Sequence, residues 1–561
     1  MRYAALATDY DGTIAHDGKV PDDTLRALER FRKSGRKNVL VTGRHLPDLL
    51  TVFHHMELFD LAVMENGALL YTSSTRETTA LAPPPNPAFI DELHRRGVHP
   101  AVGDVIVATW TPNETTVLEV IRDLGLDLQV IFNKGAVMVL PSGINKRSGL
   151  KVALNALGLS EHNAIGVGDA ENDHAFLKFC EVSVAVANSH PAIKEIATFT
   201  TRSDHGAGVV ELIEMVFAGT LPNRAMIPVG RDEHAEACIP AYGESLLVAG
   251  ASGSGKSTFV AGLIEVLAER RYQFCLIDPE GDYAGLPGTI TAGDEKHPPS
   301  ADEVMQMLHK PSSQVVVNLV GVKLADRPSY LAKLLPRLQE LRLQVGRPHW
   351  IIVDEAHHMM QRDWTPAVAG IAGELKNMIL ITVHPDHVSR AALEGVTGVF
   401  AVGPHPAQVL QDCAAAMGTQ APNTQVAALA PDQVLAWFPR RGELRTLKIH
   451  YSHADRKRHK RTYAHGEMPE ERSFYFRGPE LKLKLRAQNL SMFLQLAEGL
   501  DDETWLYHLR RGDYSRWFRE GIKDEALAVD AEACERDQSI SARESRERIA
   551  GAIEQRYTAP A

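Results

Sequence analysis

Short apolar runs that stop abruptly at polar or glycine-rich turns recur along the first 450 residues of the chain. Tyr3-Ala4-Ala5-Leu6-Ala7-Thr8 stops at Asp9, Asn38-Val39-Leu40-Val41 at Thr42-Gly43-Arg44, and Ala164-Ile165-Gly166-Val167 at Gly168-Asp169. Unbroken apolar runs of this length between turn signals read as parallel strands covered on both faces. Residues 22–34 and about 148–157 place their apolar positions at helical spacing and read as helices. The strand pattern returns at Ser245-Leu246-Leu247-Val248-Ala249, Phe274-Cys275-Leu276-Ile277, Trp350-Ile351-Ile352-Val353 and Met378-Ile379-Leu380-Ile381-Thr382. Beyond about residue 473 it changes. Leu481-Lys482-Leu483-Lys484-Leu485 alternates like a strand or a strand-like lead-in. Then Leu490, Phe493, Leu494, Trp505, Leu506, Leu509, Trp517, Phe518 and Ile522 fall on helical faces. The expectation is a multidomain α/β chain with a mostly helical end.

In open parallel sheets, ligands gather at the C-terminal ends of the strands, so the polar residues there are the candidate chemistry. Four such pieces follow one another in the first domain: Asp9-Tyr10-Asp11-Gly12-Thr13, Thr42-Gly43-Arg44, Lys146 before a helix, and Gly168-Asp169-Ala170-Glu171-Asn172-Asp173. Phosphate ester hydrolysis needs an in-line nucleophile and neutralisation of the transferring oxygens, and carboxylates with a lysine suit both tasks. In this order the four pieces resemble the haloacid dehalogenase superfamily, closest to the Cof-type phosphatases, over roughly the first 218 residues. The resemblance implies a Rossmann-like core with an inserted α+β cap at about 83–143, entered through the stiff Pro83-Pro84-Pro85-Asn86-Pro87 stretch. It implies that Asp9 attacks phosphorus to form an aspartyl-phosphate, and that Asp11 protonates the leaving oxygen and then activates water. Thr42 and Lys146 would hold the phosphoryl oxygens. Gly43, Arg44 and Asn172 would lie against the substrate phosphate. Asp9, the Asp11 carbonyl and Asp169 would bind Mg²⁺, with Asp173 supporting that shell.

The second domain opens on Gly250-Ala251-Ser252-Gly253-Ser254-Gly255-Lys256-Ser257-Thr258, between a strand and a helix. This is the context of a phosphate-cradling loop, in which successive backbone N–H groups wrap a nucleotide's phosphates at a helix N-terminus. Gly250, Gly253, Ser254, Gly255 and Thr258 shape the cradle, Lys256 would reach the β and γ phosphates of ATP, and Ser257 would ligate Mg²⁺. Asp354 fits the Mg²⁺-side carboxylate, and Glu355 beside it fits a base that polarises water. With Asp278-Pro279-Glu280-Gly281-Asp282-Tyr283 and Asp354-Glu355-Ala356-His357, the order is similar to the HerA/FtsK class of P-loop ATPases. The chain departs from that class at the fourth strand, where Thr382 and His384 stand in place of a polar Gln or Asn. Arg327, Arg337 and Arg342 are arginine-finger candidates that no pattern separates. A P-loop kinase, paired with the phosphatase as in nucleic-acid end repair, is the competing reading. Glu355 favours hydrolysis, because a kinase excludes water.

Length and composition set bounds on this picture. The 561 residues suggest about three to four domains. The boundaries read as 1–218 for the phosphatase, 219–234 for a linker, 235–450 for the ATPase, 451–472 for a basic linker and 473–561 for the helical module. A formal net charge of −11 argues against chain-wide affinity for nucleic acid. The basic run Arg456–Arg461 reads first as a solvated linker, with a DNA contact by the ATPase left open. The five cysteines are scattered, without metal-type spacing, as in a reducing cytoplasm. Met1 to Thr8 leads straight into the first motif, so no signal peptide is expected, and no apolar run approaches the ~20 residues of a membrane helix. The expectation is a cytoplasmic enzyme without membrane partners, monomeric or assembled as a dimer or hexamer. Its reading is a Mg²⁺-dependent phosphatase acting on a small phosphorylated substrate, such as a sugar phosphate, fused to an ATP-hydrolysing domain. Two alternatives stay open: a nucleotide or nucleic-acid-end phosphatase serving a ring-forming ATPase, and a bifunctional kinase–phosphatase.

Overall fold

The structure is a computed structural model. It describes residues 2–133, 135–222, 225–233, 235–365, 375–423, 429–449, 473–480, 483–522 and 524–557. The basic run Arg456–Arg461 lies outside them.

The first unit contains β1 (Ala5–Thr8), β2 (Lys37–Val41), β3 (Leu61–Met64), β4 (Leu69–Thr72) and β5 (Glu77–Ala80). Next come β6 (Ala101–Val102), β7 (Val107–Trp110), β8 (Leu128–Asn133) and β9 (Ala136–Pro141), then β10 (Ala164–Gly168), β11 (Val182–Ala185) and β12 (Phe199–Thr200). Eight of them form one sheet in the order β12-β11-β10-β1-β2-β3-β4-β5, parallel up to β3 and antiparallel beyond it. β1 lies between β10 and β2, with Ala5 opposite Ala164 and Lys37. Every residue of β1 and β10 is buried, which is why these strands are apolar without alternation. The helices Asp22–Lys33 and Lys146–Ala156 begin and end within two residues of their predicted bounds. The other four strands make a separate antiparallel sheet, β6-β7-β9-β8. One face of it packs on the helices Pro87–Arg95 and Glu114–Asp123 through Phe89, Leu93, Val117, Val120, Val137 and Val139. This is the cap.

The second unit is an eleven-stranded sheet. It comprises β13 (Met226–Arg231), β14 (Glu236–Pro240), β15 (Leu246–Ala249), β16 (Phe274–Asp278), β17 (Thr289–Ala292) and β18 (Gln314–Asn318). It continues with β19 (Trp350–Val353), β20 (Met378–Thr382), β21 (Gly398–Val402), β22 (Gln433–Phe438) and β23 (Glu443–Lys448). The order is β14-β13-β23-β22-β21-β15-β20-β19-β16-β18-β17. β21 to β17 are parallel, and the other four strands extend the sheet antiparallel. Part of the 219–234 stretch expected as a linker is therefore β13, a strand of this sheet. Its Ile227 and Val229 are buried in the core, which the intervening proline and glycine disguised.

The two sheets meet at the turns that precede their parallel strands. The His162 ring, before β10, stacks on Tyr272, before β16, with centroids 3.8 Å apart. His162 Nε2 lies 2.7 Å from the Arg270 carbonyl, and the Tyr242 hydroxyl donates to the His162 carbonyl at 3.1 Å. Tyr272 donates to Glu181, before β11, at 3.2 Å. Arg347, before β19, donates to the Gly158 carbonyl at 2.7 Å.

The C-terminal unit pairs β24 (Phe474–Phe476) with β25 (Leu485–Ala487) beside five helices. Phe493, Trp505, Leu509 and Phe518 lie in its core, as their helical spacing predicts, and Tyr514 joins them. Among the described residues, no helix is long and apolar enough to cross a membrane.

Candidate functional site

The N-terminal site lies where β1, β2 and β10 end. Asp9 follows β1, Thr42 and Gly43 follow β2, and Asp169 follows β10; Asp9, Thr42 and Asp169 are all buried. Lys146 is the first residue of its helix. The turn before it is fixed by a capping box, in which Asn145 accepts from the Ser148 N–H and the Ser148 hydroxyl accepts from the Asn145 N–H. Lys146 Nζ lies 2.5 Å from both Asp9 Oδ1 and Asp173 Oδ1. The other Asp173 oxygen accepts the N–H groups of Asp169 and Ala170 at 2.9 and 3.0 Å. Asp173 therefore braces the loop and the lysine. Thr13 donates to Asp169 at 3.0 Å. Gly12 has φ +88°, and a Cβ there would lie 2.3 Å from an Asp169 oxygen, so only glycine lets the Asp9–Thr13 loop pass this close.

Electrostatics set the character of the site. Burial pushes the Asp9 carboxyl well above the usual carboxylate range, and Asp173 and Asp169 push it further against the opposing pull of Lys146. Burial pulls Lys146 down, but Asp173 and Asp9 outweigh it and hold the ammonium charged. Asp9, Asp169 and Asp173 bring one ligand atom each within 4.8 Å of one another. Three buried carboxylates crowded this closely around one lysine are an oxygen donor set that fits a hard divalent cation.

Asp11 and Arg44 sit at the mouth. Arg44 Nε and Nη2 donate to both Asp11 oxygens at 2.7 and 2.8 Å, and Nη1 donates to Asp48 at 2.5 Å. The guanidinium expected against phosphate is thus held by two carboxylates, and it orients Asp11. Asn172 donates to Asn66 Oδ1 at 3.1 Å. Asp9, Asp11, Thr42, Gly43, Arg44, Asp48, Lys146 and Asn172 line one cavity of about 570 Å³ between core and cap.

Two further residues of this site escaped the sequence reading. Glu65, fully buried, accepts the N–H groups of Asp104, Val105 and Ile106 at 3.0, 2.8 and 2.9 Å, tying the cap to the end of β3. Asn66 joins Asn172 to Met138 of the cap. Their signal in the sequence is the Asn66-Gly67 turn after β3, which marks a tight loop but not its partners.

The second site lies at the ends of β15, β16 and β19. Gly250 follows β15, and Gly253 and Ser254 lie in the turn that follows. Gly255, at φ +100°, caps the helix Lys256–Glu269, whose first turn holds Ser257 and Thr258. Lys256 Nζ donates to the Gly250 and Ala251 carbonyls at 3.0 and 2.9 Å. Asp354 follows β19, and its carboxyl is raised by burial and then by Glu355 and Asp278. Glu355 is pushed up to about 7 by burial and then by Glu280, with Lys256 opposing. His357 Nδ1 lies 3.1 Å from the Thr382 hydroxyl and 3.3 Å from Glu355, linking the end of β19 to the end of β20. Of the three arginine-finger candidates, Arg342 is spent on backbone carbonyls, among them Pro348 at 2.7 Å and Lys376 at 2.8 Å. Arg337 pairs with Asp302 at 2.8 Å, and Arg327 donates to the Val322 carbonyl at 3.0 Å.

Residues 6–102 and 114–213 match the family described as haloacid dehalogenase-like hydrolase, and residues 235–336 match helicase HerA, central domain. The phosphoglycolate phosphatase of Methanothermobacter thermautotrophicus is 27% identical over 219 residues, covering 37% of this chain and 96% of that protein. The 5-amino-6-(5-phospho-D-ribitylamino)uracil phosphatase of Bacillus subtilis is 25% identical over 262 residues, covering 38% and 97%. The solved structure of a haloacid dehalogenase-like hydrolase from Bacteroides thetaiotaomicron aligns at 18% identity and a TM-score of 0.32, over 38% of this chain and 100% of that one. The N-terminal unit is a phosphatase of the haloacid dehalogenase-like hydrolases. More narrowly, it belongs to the Cof type, and the chain carries a HerA-type central domain behind it.

Proposed function

We propose that the chain is a divalent-metal-dependent phosphomonoesterase acting on a small phosphorylated metabolite through an aspartyl-phosphate, with an ATP-binding and ATP-hydrolysing domain attached. The observation that carries this reading is Lys146, buried between Asp9 and Asp173 beside Asp169. A Mg²⁺ ion held by Asp9, the Asp11 carbonyl and Asp169 would neutralise charge on the phosphoryl oxygens. Lys146 fixes one oxygen of Asp9 and leaves the other for attack on phosphorus. As the Asp9–phosphorus bond forms, the ester P–O bond breaks, and Asp11 gives its proton to the leaving oxygen after turning from Arg44. Asp11 then takes a proton from water, which attacks phosphorus, frees phosphate and restores Asp9.

In the second site, Lys256 now occupies the loop carbonyls, and it would turn to the β and γ phosphates of ATP. Ser257 and Asp354 would hold Mg²⁺. Glu355, next to Asp354 and raised to about 7, is suited to polarise water, which favours hydrolysis over phosphoryl transfer.

Phosphate release from a panel of phosphomonoesters and, separately, from ATP tests both halves. Asp9→Asn is expected to lose at least 10³-fold on the esters and to keep ATP turnover, while Lys256→Ala does the reverse. An Asp9→Asn protein as active on the esters as wild type would remove the nucleophile from this mechanism.

A further inference from the structure

The cavity above Asp9 has two unlike ends. The core end carries Asp9, Asp11, Arg44, Asp48 and Lys146. The cap end is apolar, and Val102, Ile106, Ala108, Trp110, Ala136 and Met138 supply its side chains. Strand register explains the division. Ala108 pairs with Met138 and Trp110 with Ala136, all on the face of the cap sheet turned to the site. Thr109, between Ala108 and Trp110, also lines the cavity, but its hydroxyl accepts a hydrogen bond from Asn113 at 3.1 Å. Trp110 is 66% exposed and Val102 44%, a broad apolar surface left open at the mouth of a polar site.

Three physical consequences follow. Hydroxyls of a sugar pressed on this wall would lose water and gain no partner. The carboxylate of a short phosphorylated acid needs a cation, but Lys146 is already engaged with two carboxylates, and Arg44 keeps Asp48 even after Asp11 turns away. A flat ring loses nothing on the wall and gains stacking area on the Trp110 indole, above the small Ala108 and Ala136. His45 and Asp48, on the core side, offer polar groups to the ring's edge. Resting on the phosphatase reading above, we propose that the substrate is a phosphomonoester whose leaving group carries a flat heteroaromatic ring, seated against Trp110 of the cap.

The test compares kcat/KM of the full chain with Mg²⁺ for phosphoglycolate, glucose 6-phosphate, pyridoxal 5′-phosphate and flavin mononucleotide. At least one ring-bearing ester is expected to exceed both others by about tenfold or more, the scale of one ring-stacking contact. Trp110→Ala should cut that ratio about tenfold through KM, and Trp110→Phe should restore most of it. Calorimetric binding of the same four compounds to Asp9→Asn reads the preference without turnover. A sugar phosphate or phosphoglycolate matching the ring esters, or a ratio untouched in Trp110→Ala, overturns the proposal. Ring esters binding more tightly while nothing is hydrolysed would overturn the phosphatase reading and still support the ring preference. No binding preference and no turnover would overturn both.

Discussion

Lys146 shows how much chemistry a single buried side chain can organise. Its ammonium is 2% exposed, and two carboxylates meet it at 2.5 Å. Desolvation works against its charge, and Asp173 and Asp9 outweigh that pull and hold it. The motif residues were legible in the sequence for a simple reason. Each sits at the end of an unbroken apolar strand, where a polar residue has no structural excuse. What the sequence hid is spacing in three dimensions, and Gly12 is the example. It reads as an ordinary turn glycine, yet a Cβ on it would collide with Asp169. Gly12→Ala is expected to displace Asp169 and lower phosphatase kcat at least 10²-fold, with ATP turnover unchanged. Near-normal kcat in that variant would show that Asp169 does not need its present position.

At the scale of elements, the cap is a second sheet tied to the end of β3 by Glu65, with Asn66 on Met138 beside it. Glu65 was passed over because its partners lie about 40 positions away and are backbone amides, which leave no mark in side-chain pattern. Three N–H groups converging on one buried carboxylate form a charge-assisted clamp. Glu65→Gln turns an amide NH₂ toward those donors. The expected cost is about 2 kcal/mol, read from chemical denaturation of the N-terminal unit, with kcat/KM falling as the cap loosens. A variant as stable as wild type would mean that other contacts hold the cap. The strands β13 and β5 are among the sheet members that the pattern leaves unread. Pro228 and Gly230 interrupt β13, and Glu77 to Ala80 is exposed throughout, so neither shows the buried apolar run that marked the others.

For the whole molecule, the contact between the two sheets carries a buried base. His349, before β19, accepts the Gln273 N–H at 2.8 Å and faces His162 and Tyr272. Burial holds it well below the usual histidine range, followed by the nearby charges of His162, Arg347 and Arg342. The sign follows directly. Below about pH 6.5 the unfolded chain takes up a proton that the folded chain refuses, so stability falls as pH falls. The slope from this residue is at most about 1.4 kcal/mol per pH unit, down to the folded value. His349→Asn should flatten the loss of denaturation midpoint between pH 7 and pH 5.5. Parallel curves for variant and wild type would assign the acid sensitivity elsewhere.

The same contact joins the sheets by the turns where their strands begin. Both sites lie where those strands end. From His162 to Asp169 and from Tyr272 to Asp278, one strand leads from this shared floor to each site. Any shift of β16 or β19 therefore meets the turns that carry β10 and β11 directly, through Tyr272 on His162 and Glu181 and through Arg347 on the Gly158 carbonyl.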